Sequence, residues 1–445
     1  MDTPICDFVQ NYKNKNMLRL HMPGHKGISA LGCEPYDITE IPGADSLYES
    51  DGVIRRSELN AGSLFGARTY YSTEGSSLCI KAMLYMACVC GKRSGDRPVI
   101  FAGRNAHKSF VNGAALMDID VCWIHGASDD GYLSCHISAQ ELDDMLSQTE
   151  HLPIAVYITS PDYIGNMADV GAISKVCRKY GVMLLVDSAH GAYLKFLDTS
   201  LHPIDLGADM CCDSAHKTLP VITGGAYLHV SHSASKSCAD MAKTAMGLFG
   251  STSPSYLIMQ SLDMANRYLS DGYSEKLADF VPKAAQLKDK LEAMGYTFCG
   301  SEPLKLTIAS KAYGYTGIQL VAELEKHNLV CEFADSDFAV MMLSPEIGDT
   351  GIDSIYNAMS CIPRKNAIDI PAPKLPRPER AMTIREAMMS QSKLIPSSEC
   401  EGRILASSNT ACPPAVPIVV CGERIDKAAI ECFRYYGIEK CLVVE

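Results

Sequence analysis

The chain has 445 residues, 47% apolar and 21% charged, an ordinary globular composition with length for two or three domains and a large core. A formal charge of −12 disfavours nucleic acid or anionic membranes as partners, because the long-range field repels them. No apolar run nears the ~20 residues of a membrane span, and the N-terminus "MDTPICDFVQNYKNKN" lacks a leader pattern, so an unexported cytoplasmic protein is expected.

From about residue 76 to 230, strand-length apolar runs alternate with helical spacing. "PVIFAG", "IDVCWI", "IAVYIT", "VMLLVD" and "DMCCDS" read as doubly buried strands. "SSLCIKAMLYMACVCG", "HKSFVNGAALMD", "SAQELDDMLSQT" and "VGAISKVCRKYG" read as helices, several with Ser or Asp near the start and Gly at the end. The alternation predicts an α/β fold with a mostly parallel sheet covered on both faces, whose ligands bind beyond the carboxyl ends of the strands. Helices follow at about 255–270 and 274–294, then a smaller α+β pattern: "LKLTIA", "TGIQLVAELEKHN", "LVCEF", "FAVMML" and "GIDSIYNAM". The Pro-rich, charged stretch 362–380 reads as an extended connector to a last segment. The expected organisation is an arm over 1–60, a large α/β domain over 61–272, a small α+β domain over 273–362, a connector over 363–380 and a C-terminal domain over 381–445.

Nineteen cysteines could suggest a disulfide framework, yet the number is odd, the chain is large and most sit in apolar runs; they read as small buried hydrophobes of a reducing compartment. There is no CxxC pair and the histidines lack zinc spacing, so no metal site is expected.

Chemistry gathers at the strand ends. "VMLLVDSAHGAY" brings Asp187 to the end of one strand, "DMCCDSAHK" brings Ser214, His216 and Lys217 to another, and "GRNAHKS" sets His107 after a third. "STEGSS" offers Gly75, Ser76 and Ser77 where a helix begins, an anion site suited to phosphate. A lysine, a carboxylate, an imidazole and a phosphate cup are the parts that hold pyridoxal phosphate: the lysine as Schiff-base residue, the aspartate keeping the pyridine nitrogen protonated. Taken singly, these residues have plainer readings: Asp187 and His107 as helix caps, Ser76 and Ser77 as N-terminal caps, Glu332 as a solvated edge carboxylate.

"LHMPGHKG", "DITEIPGADSL", "RTYYSTEGSS", "RNAHKS", "VDSAHGAY", "DSAHKTLP" and "STSPSY" occur in the order, and over nearly the whole chain, in which they mark the Orn/Lys/Arg decarboxylase family, which this sequence resembles. The resemblance implies an aspartate aminotransferase-like (fold type I) pyridoxal-phosphate enzyme that decarboxylates a basic amino acid: arginine, lysine or ornithine, arginine being favoured for a role in polyamine synthesis. It makes Lys217 the Schiff-base residue, Asp187 the pyridinium partner and His107 the ring-stacking group. Ser76, Ser77, Ser214 and His216 would surround the phosphate, with Ser251 or Thr252 approaching from a neighbouring subunit of at least a homodimer. Ala189 and His190 would lie beside the ring, and Glu332 would face the distal cation of the substrate. The family's N-terminal wing domain is expected to be absent. "PPAVP" and "CGE" depart from the family's usual "PPGIP" and "PGE" at Ala415 and Cys421, near the far wall of the substrate pocket. The competing readings are another reaction on the same cofactor and fold (an aminotransferase, aldolase or β-eliminase) or a non-catalytic binding protein.

Overall fold

The computed structural model describes residues 1–92, 95–126, 131–407 and 414–445; Pro413, the first residue of "PPAVP", lies outside them. The chain divides into two compact units, Met1–Lys92 with Val170–Lys276 and Arg93–Asp169 with Leu277–Glu445. The α/β layers contain strands β1 (Arg68–Ser72), β2 (Val99–Gly103), β3 (Asp120–Ile124), β4 (Ala155–Thr159), β5 (Met183–Asp187), β6 (Met210–Asp213) and β7 (Ala226–Val230). The helices between and before them are α1 (Pro4–Asn14), α2 (Val53–Phe65), α3 (Gly75–Cys90), α4 (Lys108–Leu116), α5 (Ala139–Gln148) and α6 (Val170–Tyr180). Every apolar run expected to be a strand over 98–214 is one, and each of the four expected helices forms.

In the first unit the strands lie in the order β1-β7-β6-β5. β5 and β6 run parallel, with Asp187 opposite Cys212. β7 returns antiparallel to β6 and to β1, so that Cys211 faces His229 and Tyr71 faces Tyr227 across the ladders. β6 and β7 are buried at every residue, as strands covered on both faces must be. α3 is buried over most of its circumference, through Leu78, Cys79, Ile80, Ala82, Met83 and Leu84 onward, with Lys81, Tyr85 and Val89 along one less buried stripe. The N-terminal arm is fastened by Asp263, whose Oδ2 accepts from the Ile5 and Cys6 amides at 2.9 and 3.0 Å, satisfying donors at the start of α1. Beyond α1 the arm leaves Leu18, Leu20, Ile28 and Leu31 between 75% and 88% exposed.

In the second unit β4, β2 and β3 lie in that order with parallel pairing. A Ser138–Glu141 capping box starts α5. A four-stranded antiparallel sheet, β8 (Phe298–Cys299), β9 (Lys305–Ala309), β10 (Phe333–Ala334) and β11 (Phe338–Met342), has the order β10-β11-β9-β8. The strand expected over "LVCEF" shrinks to β10, because Val330 and Glu332 are exposed and no burial holds that stretch in a ladder. The last segment forms β12 (Ser392–Pro396), β13 (Leu405–Ser407) and β14 (Lys440–Val444), order β12-β14-β13, around a core of Leu405, Ile425, Phe433, Cys441 and Val443. No described helix is long and apolar enough to cross a membrane.

Candidate active site

The first unit gathers most of the expected site. β1 ends at Ser72, and the chain turns into α3 through Gly75, whose φ of +69° is a left-handed conformation that glycine takes without cost. The Gly75 amide donates to the Gly224 carbonyl at 2.7 Å, tying the start of α3 to the loop before β7. A side chain at Gly75 would meet nothing within 4 Å, so space opens in front of this helix N-terminus. Ser214 Oγ donates to Ser76 Oγ at 2.8 Å, joining the end of β6 to the first turn of α3, with Ser77 next along that turn. His216 is turned to the same loop: its backbone amide and its Nδ1 lie 3.1 and 2.9 Å from the Gly225 carbonyl, an acceptor that fixes the proton on Nδ1. The result is a hydroxyl-lined helix N-terminus, the local geometry that attracts a phosphate.

Lys217 sits in the short helix Ala215–Thr218 that follows β6, with its Nζ 3.1 Å from His190 Nε2. Asp187, 3% exposed at the end of β5, accepts from the Ala189 amide at 3.2 Å through Oδ1. The same oxygen lies 3.7 Å from Cys212 Sγ, on the neighbouring strand in register. Burial, followed by the Asp187 carboxylate, pushes the Cys212 thiol well above its ordinary range, so it stays a neutral donor to that carboxylate. These residues fit pyridoxal phosphate. An aldehyde needs an amine beside a proton acceptor, a pyridinium needs a buried carboxylate, and a phosphate needs free helix donors; all three occur around the ends of β5 and β6 and the start of α3.

Ser251 and Thr252 are exposed, and the Ser251 amide donates to Glu74 Oε1 at 2.5 Å, next to the start of α3 of its own chain. His107 and Glu332 belong to the second unit. There His107 caps α4, its Nδ1 accepting from the Ser109 amide at 3.1 Å, so the expected capping role is real. Glu332 is exposed just before β10, and Tyr163 donates to its Oε1 at 2.9 Å. It borders a cleft whose walls include Leu329, Val330, Met341, Leu343 and Ile355. Ala415 adopts φ +56°, a left-handed conformation costing a β-carbon-bearing residue about 1 kcal/mol or more, and its carbonyl accepts from the Lys108 amide at 2.8 Å. Three participants were not anticipated: Cys212 beside Asp187, Glu74 at the start of α3, and Tyr163 on Glu332. Only Cys212 had a visible signal, since strand pairing of "VMLLVD" with "DMCCD" sets it opposite Asp187.

Residues 3–307 match the family model described as the Orn/Lys/Arg decarboxylase major domain, and residues 371–440 match the C-terminal domain of the same family. An arginine decarboxylase of Bacillus subtilis is 28% identical over 96% of this chain and 92% of its own length. An uncharacterized protein of the same organism, YaaO, is 28% identical over 97% of this chain and 93% of its own. Among solved structures, the lysine decarboxylase of Francisella novicida superposes with a TM-score of 0.81 over 100% of this chain and 81% of that one, at 15% identity.

Proposed function

Because the chain belongs to the Orn/Lys/Arg decarboxylase family, whose members are pyridoxal-phosphate-dependent lyases, we propose that it converts arginine to agmatine and CO2 in polyamine synthesis. The observation that carries the chemistry is Lys217 Nζ at 3.1 Å from Nε2 of His190, which stands three residues after the buried Asp187. The choice of arginine is supported by relatives at 26–28% identity that are named arginine decarboxylases, B. subtilis and Halalkalibacterium halodurans among them.

Bound pyridoxal phosphate supplies the electron sink for the pair left behind when the α-carboxylate departs as CO2. His190 Nε2, 3.1 Å from the Lys217 Nζ, orients the nucleophilic amine in a half-buried setting. Asp187, whose Oδ1 is held by the Ala189 amide and the Cys212 thiol, would lie against the ring nitrogen and favour its protonated form. Gly75, Ser76, Ser77, Ser214 and His216 would hold the phosphate, His107 would stack on the ring, and Glu332 would receive the guanidinium; these roles follow the family motifs matched in this sequence.

A homodimer, with Ser251 or Thr252 of one chain completing the other's phosphate site, is supported by their exposure and by the apolar residues bared along the N-terminal arm. A cytoplasmic location is supported by free thiols at buried cysteines such as Cys177, Cys211, Cys238 and Cys400. The proposed organisation keeps an arm over 1–60, a large domain over 61–272, a small domain over 273–362, a connector over 363–380 and a C-terminal domain over 381–445; the family matches at 3–307 and 371–440 support the separate C-terminal segment alone.

The test is CO2 and amine release by the cofactor-loaded enzyme from arginine, lysine and ornithine in turn. Arginine should give the highest kcat/KM, and Lys217→Ala should lose both turnover and the cofactor's visible absorbance. Preference for lysine or ornithine would overturn the substrate; inactivity on all three would overturn the reaction.

A further inference from the structure

On the face of β6 opposite Cys212, four metal-binding side chains converge in the interior of the first unit. Alternation along β6 puts Cys211 and Asp213 on one face, and the β7 register sets His229 directly opposite Cys211. His202 enters from the loop before β6. Its Nε2 lies 2.9 Å from Asp213 Oδ2 and 3.9 Å from Cys211 Sγ, and His229 Nε2 lies 3.0 Å from the same Asp213 oxygen. The side chains of His202, Asp213 and His229 are fully buried, and so is Cys211. Phe65 covers the group, its ring 5.5 Å from His202 and 4.5 Å from His229.

The geometry points to a structural zinc-type site formed by His202, Cys211, Asp213 and His229. Charge balance is the first reason. A divalent ion with one thiolate, one carboxylate and two neutral imidazoles sums to zero, which is what a dry interior tolerates, whereas a lone ionised aspartate there is costly. Spacing is the second: a tetrahedral ion with bonds of about 2.0 Å to nitrogen or oxygen and about 2.3 Å to sulfur needs donors roughly 3–4 Å apart; His202, Cys211 and Asp213 offer donor atoms all within 4.8 Å of one another, and His229 Nε2 joins them through Asp213 at 3.0 Å. Third, two imidazole nitrogens crowd one carboxylate oxygen while the buried Asp213 Oδ1 has no hydrogen-bond partner. An ion engages this cluster more fully than mutual hydrogen bonds do. Fourth, Thr69 Oγ1 lies 2.9 Å from His229 Nδ1 and so orients the imidazole whose Nε2 would bind the metal, a customary outer contact of a ligand histidine.

Mixed sulfur, nitrogen and carboxylate donors in a closed tetrahedral site select zinc over magnesium or calcium. Binding releases the Cys211 thiol proton and needs no redox partner. The four residues are spread over "HPIDLGADMCCD" and "AYLHV". Strand pairing rather than sequence spacing unites them, which is why linear inspection predicted no metal.

The test is metal content of the cofactor-loaded enzyme, produced with zinc and then dialysed. About one zinc per chain is expected, and cobalt substitution should give the strong visible bands of a tetrahedral ion. Cys211→Ser and His202→Gln should each weaken zinc binding at least tenfold, and chelation should lower the melting temperature of the unmodified enzyme. If either variant fails to fold, the stoichiometry and cobalt spectrum of the unmodified enzyme still decide. Zinc well below one per chain after loading, an octahedral cobalt spectrum, or metal content unchanged in both folded variants would overturn the site.

Discussion

Glu332 stands at the surface of its unit with Oε1 taken by the Tyr163 hydroxyl, a bond that leaves Oε2 unengaged. An exposed carboxylate loses part of its grip on a cation to water, so its contribution lies at the lower end of what a charge-assisted hydrogen bond gives. Glu332→Gln should raise KM for arginine about tenfold with little change in kcat, since a uniform binding contact is removed. Tyr163→Phe should raise KM by a smaller factor, because it frees the carboxylate to rotate without removing its charge. Steady-state kinetics on both variants measures this; an unchanged KM in Glu332→Gln returns the residue to the role of a solvated edge acid. Tyr163 itself was not legible beforehand. Nothing in "SPDYIG" shows that its hydroxyl reaches a residue 169 positions away, since long-range contacts of this kind depend on tertiary packing.

At the scale of elements, the phosphate cup depends on two loops fitting closely. Gly224 has φ +99°, and a β-carbon there would sit 2.9 Å from the Thr73 carbonyl oxygen, while the Gly224 carbonyl receives the Gly75 amide. Gly224→Ala therefore combines backbone strain with a clash and should cost about 1–3 kcal/mol of stability. It should also weaken cofactor retention, because the start of α3 shifts. Thermal unfolding and cofactor titration would report both, and a variant with wild-type cofactor affinity would mean the cup does not depend on this contact. The central elements were readable because doubly buried strands and capped helices carry local signals, as in "VMLLVD" and the Ser138–Glu141 box. β1 and β7 were missed. Their "RTYYS" and "AYLHV" are short and carry polar residues without a strand period, and the buried His229 and Thr69 meet partners supplied by other parts of the chain.

For the whole molecule, the exposed Leu18, Leu20, Ile28 and Leu31 form an apolar stretch that a single chain leaves in water. Replacing Leu20 and Leu31 together with glutamate should shift sedimentation from dimer to monomer and abolish turnover, since each chain then loses the other's Ser251 or Thr252. The fold within each chain should survive, because neither side chain belongs to a core. An active wild-type monomer in sedimentation would refute the shared site. Assembly of this kind leaves only an indirect trace in sequence: apolar residues in a segment without strand or helix periodicity.

The register of β6 decides which acid does which job. Counting along the strand, Cys212 shares its parity with Asp187 across the ladder, while Cys211 and Asp213 point the other way toward His229. The pleat thereby insulates two carboxylates from each other: one faces the Lys217 side, the other is enclosed by imidazoles. A single-residue insertion or deletion within "MCCD" would exchange the two wirings at once, turning the enclosed acid toward the amine and pulling the thiol away from Asp187. Such a frameshift in space, though small in length, should leave a chain with neither a poised lysine nor a filled histidine cluster, so this strand tolerates substitutions of size more readily than changes of count.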